Sequence, residues 1–216
     1  MLKTTFLEVF LHEKLQTVYI KREGKLIGLK VICGDPGRTA DAFAWVGTQL
    51  KLDTEAKIEF RLAKQFFKTP YGRVAVYARK IHALYKPNFM GIETNNRGKE
   101  VLSLFHRKYD LTFLQGVSTS ANMTEKSRQM GFAMDKPFMV EWFKEKMDEQ
   151  MFSFPSTPSK DMQELIDQIP KIVSFKSPGG QTSYKAHRGQ HDDLFMAALH
   201  CCNYIRLFIE QQARLK

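Results

Sequence analysis

The sequence predicts an α/β domain built on a mixed sheet, and three observations predict it. Strand-like stretches follow one another between residues 29 and 67 with only short turns between them, the pattern of an antiparallel meander. A strand, a helix and a strand then occupy residues 88–116, the unit that produces parallel pairing. A long, nearly all-apolar helix closes the chain, and such a helix must be buried.

Residues 1–26 read as an N-terminal extension or linker. They offer a short strand or helix over 6–11, a strand over 16–22 and a turn at Glu23-Gly24-Lys25. The pattern sharpens from residue 27, where the main domain, 27–216, begins. Residues 29–33 are a strand, closed by the turn signal Gly34-Asp35-Pro36-Gly37. Residues 42–50 are a second strand, aromatic and apolar. Residues 56–67 are helix-like in composition, but Ile58, Phe60 and Leu62 alternate and predict a strand in the first half. Pro70 opens a helix to residue 85 with Val74, Tyr77, Ala78, Ile81 and Leu84 on one face. A buried strand over 88–94, a helix over 97–109 with Val101, Leu102, Phe105 and Tyr109 inward, and a strand over 111–116 follow. Helices are predicted over 138–151 and 161–169, with Asp161 near the cap of the second. Residues 172–176 and 182–186 flank Ser177-Pro178-Gly179-Gly180 as a β-hairpin, and the final helix spans 192–212. Residues 153–160, with two prolines, are a connection inside the domain; no repeat or low-complexity tract appears.

A hydrophobic share of 43% and a charged share of 26% are those of an ordinary globular domain with a core of its own. Lys and Arg outnumber Asp and Glu by 33 to 23, a net charge of +10 with a pI near 9.5, which points to a polyanionic partner. Cys33, Cys201 and Cys202 lack zinc spacing and read as small buried hydrophobes in a reducing, cytoplasmic compartment. Glu8, Glu13 and Lys14 break any signal-peptide core, and no run of eighteen apolar residues predicts a membrane span. The P-loop, GxGxxG, GxSxG and HExxH motifs are all missing, so ATP hydrolysis by this chain is not expected.

Three acidic signatures remain. Asp35 follows a buried strand directly, which suits a metal ligand; the same Asp-Pro-Gly also suits an Asx turn. Asp41, entering the next strand, is a supporting ligand or a turn residue. Glu93 ends an apolar strand, where a carboxylate is costly unless paired with a cation or metal-bound. Asn95 and Asn96 suit a turn and a helix cap, or a phosphate contact through an amide. Asp192 and Asp193 open the last helix; one caps it and the other is free to be a ligand. His191 and His187 are proton-transfer groups or bystanders. Carboxylates that converge from strand ends and a helix start hold hard divalent cations. In a basic chain that combination points to phosphodiester cleavage. Lys126, Arg128, Lys176, Lys185 and Arg188 flank the acidic motifs and are the expected contacts to the phosphates of a nucleic-acid backbone, with little sequence preference.

These motifs carry a resemblance. Cys33-Gly34-Asp35-Pro36-Gly37 with Asp41-Ala42-Phe43-Ala44, Met90-Gly91-Ile92-Glu93-Thr94-Asn95-Asn96 with Gly98, Met130-Gly131-Phe132, and Gly189-Gln190-His191-Asp192-Asp193-Leu194-Phe195-Met196-Ala197 occur in one order. The chain, over residues 27–205, thereby resembles the nuclease domain of phage terminase large subunits. The resemblance implies an RNase H-like fold: a central mixed five-stranded sheet flanked by helices, its first three strands antiparallel, with a β-hairpin before the C-terminal helix. It implies two Mg²⁺ or Mn²⁺ ions held by Asp35, Glu93 and the Asp192/Asp193 pair, and cutting of concatemeric double-stranded viral DNA in the host cytoplasm during packaging. It implies an ATPase motor domain, a portal and a small terminase subunit as partners, and gating of DNA by the hairpin. Family members carry an upstream ATPase domain with a P-loop, which this chain lacks, so DNA translocation is not expected of it. Two other readings stay open: a Holliday-junction resolvase-like nuclease of the same fold, and a non-catalytic basic DNA-binding module whose acids are caps and salt bridges.

Overall fold

The computed structural model describes residues 7–12, 17–22, 25–37, 42–52, 56–119, 133–176, 182–186 and 191–214. The expected meander is β3 (Lys25–Asp35), β4 (Ala42–Leu52) and β5 (Ala56–Phe67), each antiparallel to the next. Two short strands, β1 (Leu7–His12) and β2 (Thr17–Arg22), precede them; β2 pairs with the first residues of β3. Helix α1 (Tyr71–Tyr85) crosses to β6 (Phe89–Glu93), and α2 (Gly98–Tyr109) to β7 (Gln115–Thr119). Both crossovers give parallel pairs, β3 with β6 and β6 with β7. These five strands are the centre of one mixed sheet, ordered β7-β6-β3-β4-β5. Two-residue strands extend both edges, β8 (Ala133–Met134) beside β7 and β9 (Phe152–Ser153) beside β5. Helices α3 (Lys136–Asp148), α4 (Lys160–Gln168) and α5 (Asp193–Arg214) complete the chain, with the hairpin β10 (Ile172–Lys176) and β11 (Thr182–Ala186) before α5.

Strand β5 departs from the expectation of half a strand, because it pairs along its whole length with β4. Its composition read ambiguously because the alternation changes phase. Gly47 faces Leu62 while Thr48 faces Phe60, so Arg61 is an extra residue, a β-bulge. Ile58 and Phe60 point to one side of the sheet, and beyond the bulge Ala63 and Gln65 take over that side while Leu62 and Phe66 turn to the other. Leu84 is a second departure: it is 67% exposed, and Ala75 is buried in α1 instead. The last strand of the expected βαβ unit lies over 115–119 and not 111–116, because Leu111 and Leu114 pack as a buried turn before it. Helix α4 is capped by Ser159, whose hydroxyl accepts from the Met162 amide, while Asp161 in the first turn pairs with Lys64 at 2.8 Å.

The sheet separates two cores. Ile32, Phe43, Trp45, Met90 and Ile92 face α1 and α2. Leu29, Val31, Cys33, Ala44, Val46, Phe60 and Phe89 face α5, flanked by α3 and α4. Helix α5 is buried through Leu194, Ala197, Ala198, Cys201 and Ile205, as its composition requires. All three cysteines are free and buried. Among the described residues, no helix is long and apolar enough to cross a membrane.

Candidate active site

Side chains alternate along a strand, so the residues of β3 that face α5 are 29, 31, 33 and 35, and those of β6 are 89, 91 and 93. The parallel register sets Gly34 against Ile92. Asp35 and Glu93 therefore end adjacent strands at one level and on one side. Helix α5 passes over this side and begins with Asp193. Glu93 is held at its place partly by Gly98: a Cβ there would lie 1.8 Å from the Glu93 carbonyl oxygen, so only glycine lets α2 start this close to the strand end.

Asp35, Glu93 and Asp193 are 7%, 9% and 7% exposed, a burial that charged side chains rarely show without partners. The Gly37 amide donates to Asp35 Oδ1 at 2.8 Å. Gly37 has φ +67°, and a Cβ added there would stand 3.3 Å from Asp193 Oδ1, so this turn brings Asp193 against the Asp35 loop. Burial, and then the charges of Glu93 and Asp193, push the Asp35 carboxyl well above the usual aspartate range. Burial pushes Glu93 up as well, but hydrogen bonding and charge from His200, with hydrogen bonds from Thr119 and Asp35, outweigh it and leave Glu93 at about 2. Asp35 and Glu93 are thus coupled carboxylates driven in opposite directions, Asp35 towards its neutral form and Glu93 towards its charged form. Asp193 is raised by burial and by Asp192, with His191 and Gln65 opposing. The Gln65 amide stands near enough to favour the charged form of Asp193, yet neither its Nε2 nor Asp193 Oδ2 makes a well-formed hydrogen bond. Asp192 is less buried, and the Lys136 ammonium lies 3.2 Å from its Oδ2.

Among the described residues, no three His, Cys, Asp or Glu side chains are arranged to hold a metal ion as they stand. The donor set nonetheless suits a hard cation. Its atoms are all oxygens, they repel one another, and Asp193 Oδ2 is a buried acceptor without a donor.

No protein-family model and no curated protein sequence matches the chain. Solved structures do. The large terminase nuclease from thermophilic phage G20c is 14% identical, with 91% of each chain covered and a TM-score of 0.55. The same nuclease with bound magnesium gives 12% identity, 91% and 90% coverage and a TM-score of 0.52. The nuclease domain of the large terminase subunit gp2 of bacterial virus Sf6 is 11% identical, covers 83% of this chain and 90% of that one, and has a TM-score of 0.58. The chain has the RNase H-like fold of large terminase nucleases.

On this terminase-nuclease fold the predicted site residues separate. Asp35, Glu93 and Asp193 are brought together, with Asp192 beside them. His191 is exposed, its Nδ1 lying 3.6 Å from Asp193 Oδ2 and its ring edge-on to Phe67. The Asn95 amide is already engaged: it donates to the Thr119 carbonyl at 2.7 Å and accepts from the Thr119 amide at 3.3 Å. Lys176 and Lys185 are exposed on the β10–β11 hairpin, with Lys185 Nζ 4.3 Å from the centre of the Phe175 ring. Asp41, Lys126, Arg128, His187 and Arg188 lie outside the described residues.

Sequence reasoning missed three neighbours of the carboxylates. His200 is seven residues after Asp193, two helical turns along the same stripe, and that spacing was the available signal. Thr119 ends β7 one strand from Glu93, and only the register reveals the contact. Gln65 was hidden by the bulge, which reverses the phase of β5 ahead of it.

Proposed function

We propose that this chain is a divalent-metal-dependent endonuclease that cuts double-stranded DNA during viral genome packaging, with little sequence preference. The observation that carries the reading is the convergence of three buried carboxylates, one with an unpartnered oxygen, on one side of the β3 and β6 ends. The fold shared with terminase nucleases, and the magnesium bound by the G20c nuclease, support it. The proposed nuclease domain is 27–216, working in the host cytoplasm with an ATPase motor domain, a portal and a small terminase subunit.

Asp35, Glu93 and Asp193, with Asp192 at their edge, would hold two Mg²⁺ or Mn²⁺ ions. The ions, when bound, supply an activated water and stabilise the leaving 3′ oxygen. The protein's own groups prepare the rest. Asp35, whose carboxyl is raised by burial and by the charges of Glu93 and Asp193, would have to be in its charged form to hold a cation, so metal uptake would be coupled to proton release. His191, exposed beside Asp193, is placed to carry a proton to and from solvent at the rim. Lys176 and Lys185, together with Lys126, Arg128 and Arg188, grip backbone phosphates, which fixes register on the duplex without reading bases.

The test is supercoiled plasmid incubated with the purified chain in Mn²⁺, in Mg²⁺ and in EDTA, beside the Asp35→Ala, Glu93→Ala and Asp193→Ala variants. Nicking and linearisation that need metal and vanish in each variant are expected. Retained cleavage in all three variants would overturn the site. A retarded band with intact plasmid under every metal would replace the nuclease by a DNA-binding module.

A further inference from the structure

Glu93 is the longest of the three buried carboxylates. Asp35 is steadied by the Gly37 amide and Asp193 by the start of a helix, each through a short side chain. Glu93 carries an extra rotatable bond, and the charges around it push it away from the group. It is also the carboxylate with the most elaborate support. The Thr119 hydroxyl donates to its Oε1 at 2.8 Å. His200 Nε2 stands 3.7 Å from its Oε2 and 3.5 Å from the Thr119 hydroxyl. His200 is 2% exposed, so its ring cannot swing away into water. Thr119 is itself fixed, because the Asn95 amide holds both its backbone N–H and its carbonyl in the manner of one more strand. The support therefore comes from three sides: the loop after β6, the end of β7 and a position two turns into α5. It engages Oε1 through the Thr119 hydroxyl and places His200 beside Oε2, on a carboxylate that ends its strand next to Asp35.

We propose that Thr119 and His200 are positioning residues that lock the Glu93 carboxylate in the orientation that receives the divalent cation, and so set the metal affinity of the site. The inference rests on the reading of Glu93 as a metal ligand. Groups that orient a ligand in this way change metal affinity or activity by about 10–100-fold when removed. Thr119→Val keeps the shape and loses only the donor. His200→Gln keeps a donor on a chain that no longer reaches as a rigid ring.

The measurement is Mn²⁺ binding to the full chain without DNA, by titration calorimetry, for wild type, Thr119→Val, His200→Gln and Glu93→Gln, with a thermal melt of each and plasmid cleavage against Mn²⁺ concentration. Thr119→Val and His200→Gln are expected to melt cooperatively, to bind Mn²⁺ about 10–100-fold more weakly, and to regain cleavage as Mn²⁺ is raised. A role confined to stability would lower the melt and leave the metal dependence where it is. If His200→Gln does not fold, Thr119→Val decides alone. Wild-type Mn²⁺ affinity in Thr119→Val, with binding lost in Glu93→Gln, overturns the positioning role and spares the ligand. Wild-type affinity in Glu93→Gln removes Glu93 from the metal site, and the inference goes with it.

Discussion

The face of the sheet beneath α1 and α2 is closed by rings and aliphatic chains: Phe43 lies 5.1 Å from Trp45 and 6.0 Å from Phe105, with Ile32, Val74, Ile81 and Ile92 around them. The face beneath α5 also has an apolar layer, but polar groups interrupt it. The buried polar or charged residues Asp35, Thr48, Gln65, Glu93, Asp193, His200 and Asn203 are on that side. A layer that only has to hold the sheet needs no buried charge, because each buried carboxylate costs free energy unless paired. The contrast teaches that one face is kept for stability and the other gives up stability for a site. It also predicts that the two faces respond in opposite directions to substitution.

The largest effect is expected from Trp45→Ala, which empties the α1–α2 face. It should cost about 3–5 kcal/mol in urea unfolding, and a loss below 1 kcal/mol would break the comparison. Asp193→Asn should move stability the other way. Removing a buried carboxylate charge whose Oδ2 accepts no hydrogen bond should raise metal-free stability by about 0.5–2 kcal/mol, the range of a single favourable substitution, while cleavage is lost. Saturation with Mn²⁺ at 100 times its dissociation constant should stabilise wild type by about 2.7 kcal/mol and Asp193→Asn by less. Unchanged or lower metal-free stability in this variant would mean that the charge is compensated after all.

A pH scan sharpens the same point. Asp35 has a raised folded pKa, so the stability its protonated form contributes is complete below the unfolded value of about 4 and is lost as pH rises through the folded value. Glu93, lowered to about 2, contributes in the opposite sense, and its share disappears only as pH falls from above 4 towards 2. As pH rises above the unfolded value of about 4, metal-free wild type should therefore lose the Asp35 share of its stability, and Asp35→Asn should flatten that slope. The smallest effect belongs to His82 on the other face, which stacks on Phe113 at 3.9 Å and whose pKa burial lowers. Its stabilisation is present above its unfolded value of about 6.5 and is lost as pH falls below it, a shallow trend that His82→Phe should remove. A steep acid limb that survives His82→Phe would assign that limb elsewhere.

Much of this was legible in the chain. The meander, the βαβ unit and the hairpin follow from period and turn chemistry, and the α5 burial from a helix with almost no polar face. Asp35 and Glu93 stood out because Asp and Glu are costly where strands end in apolar surroundings, and the Asp192/Asp193 pair because it opens an apolar helix, but which of the two joins the others was not legible. What was not legible depended on register. Thr119 meets Glu93 only because β6 and β7 pair with Glu93 opposite Val117. Leu84 was assigned to the core on helical spacing alone, and spacing cannot say where a helix end leaves the sheet. Asn95 looked like a cap or a phosphate contact, and its amide instead completes the end of β7, a role that needs the strand in place first.

The bulge at Arg61 also decides which change of chain length β5 can absorb. Gly47 faces Leu62 and Thr48 faces Phe60, so Arg61 has no place of its own in the ladder. Its deletion would set Phe60 directly before Leu62 and leave every pair intact, with Ala63 and Gln65 still under α5 and Leu62 and Phe66 still toward the aromatic layer. Deletion of Lys64, inside the paired stretch, would instead turn Gln65 away from the carboxylates and Phe66 toward them. The thermal melt should therefore fall further when codon 64 is lost than when codon 61 is.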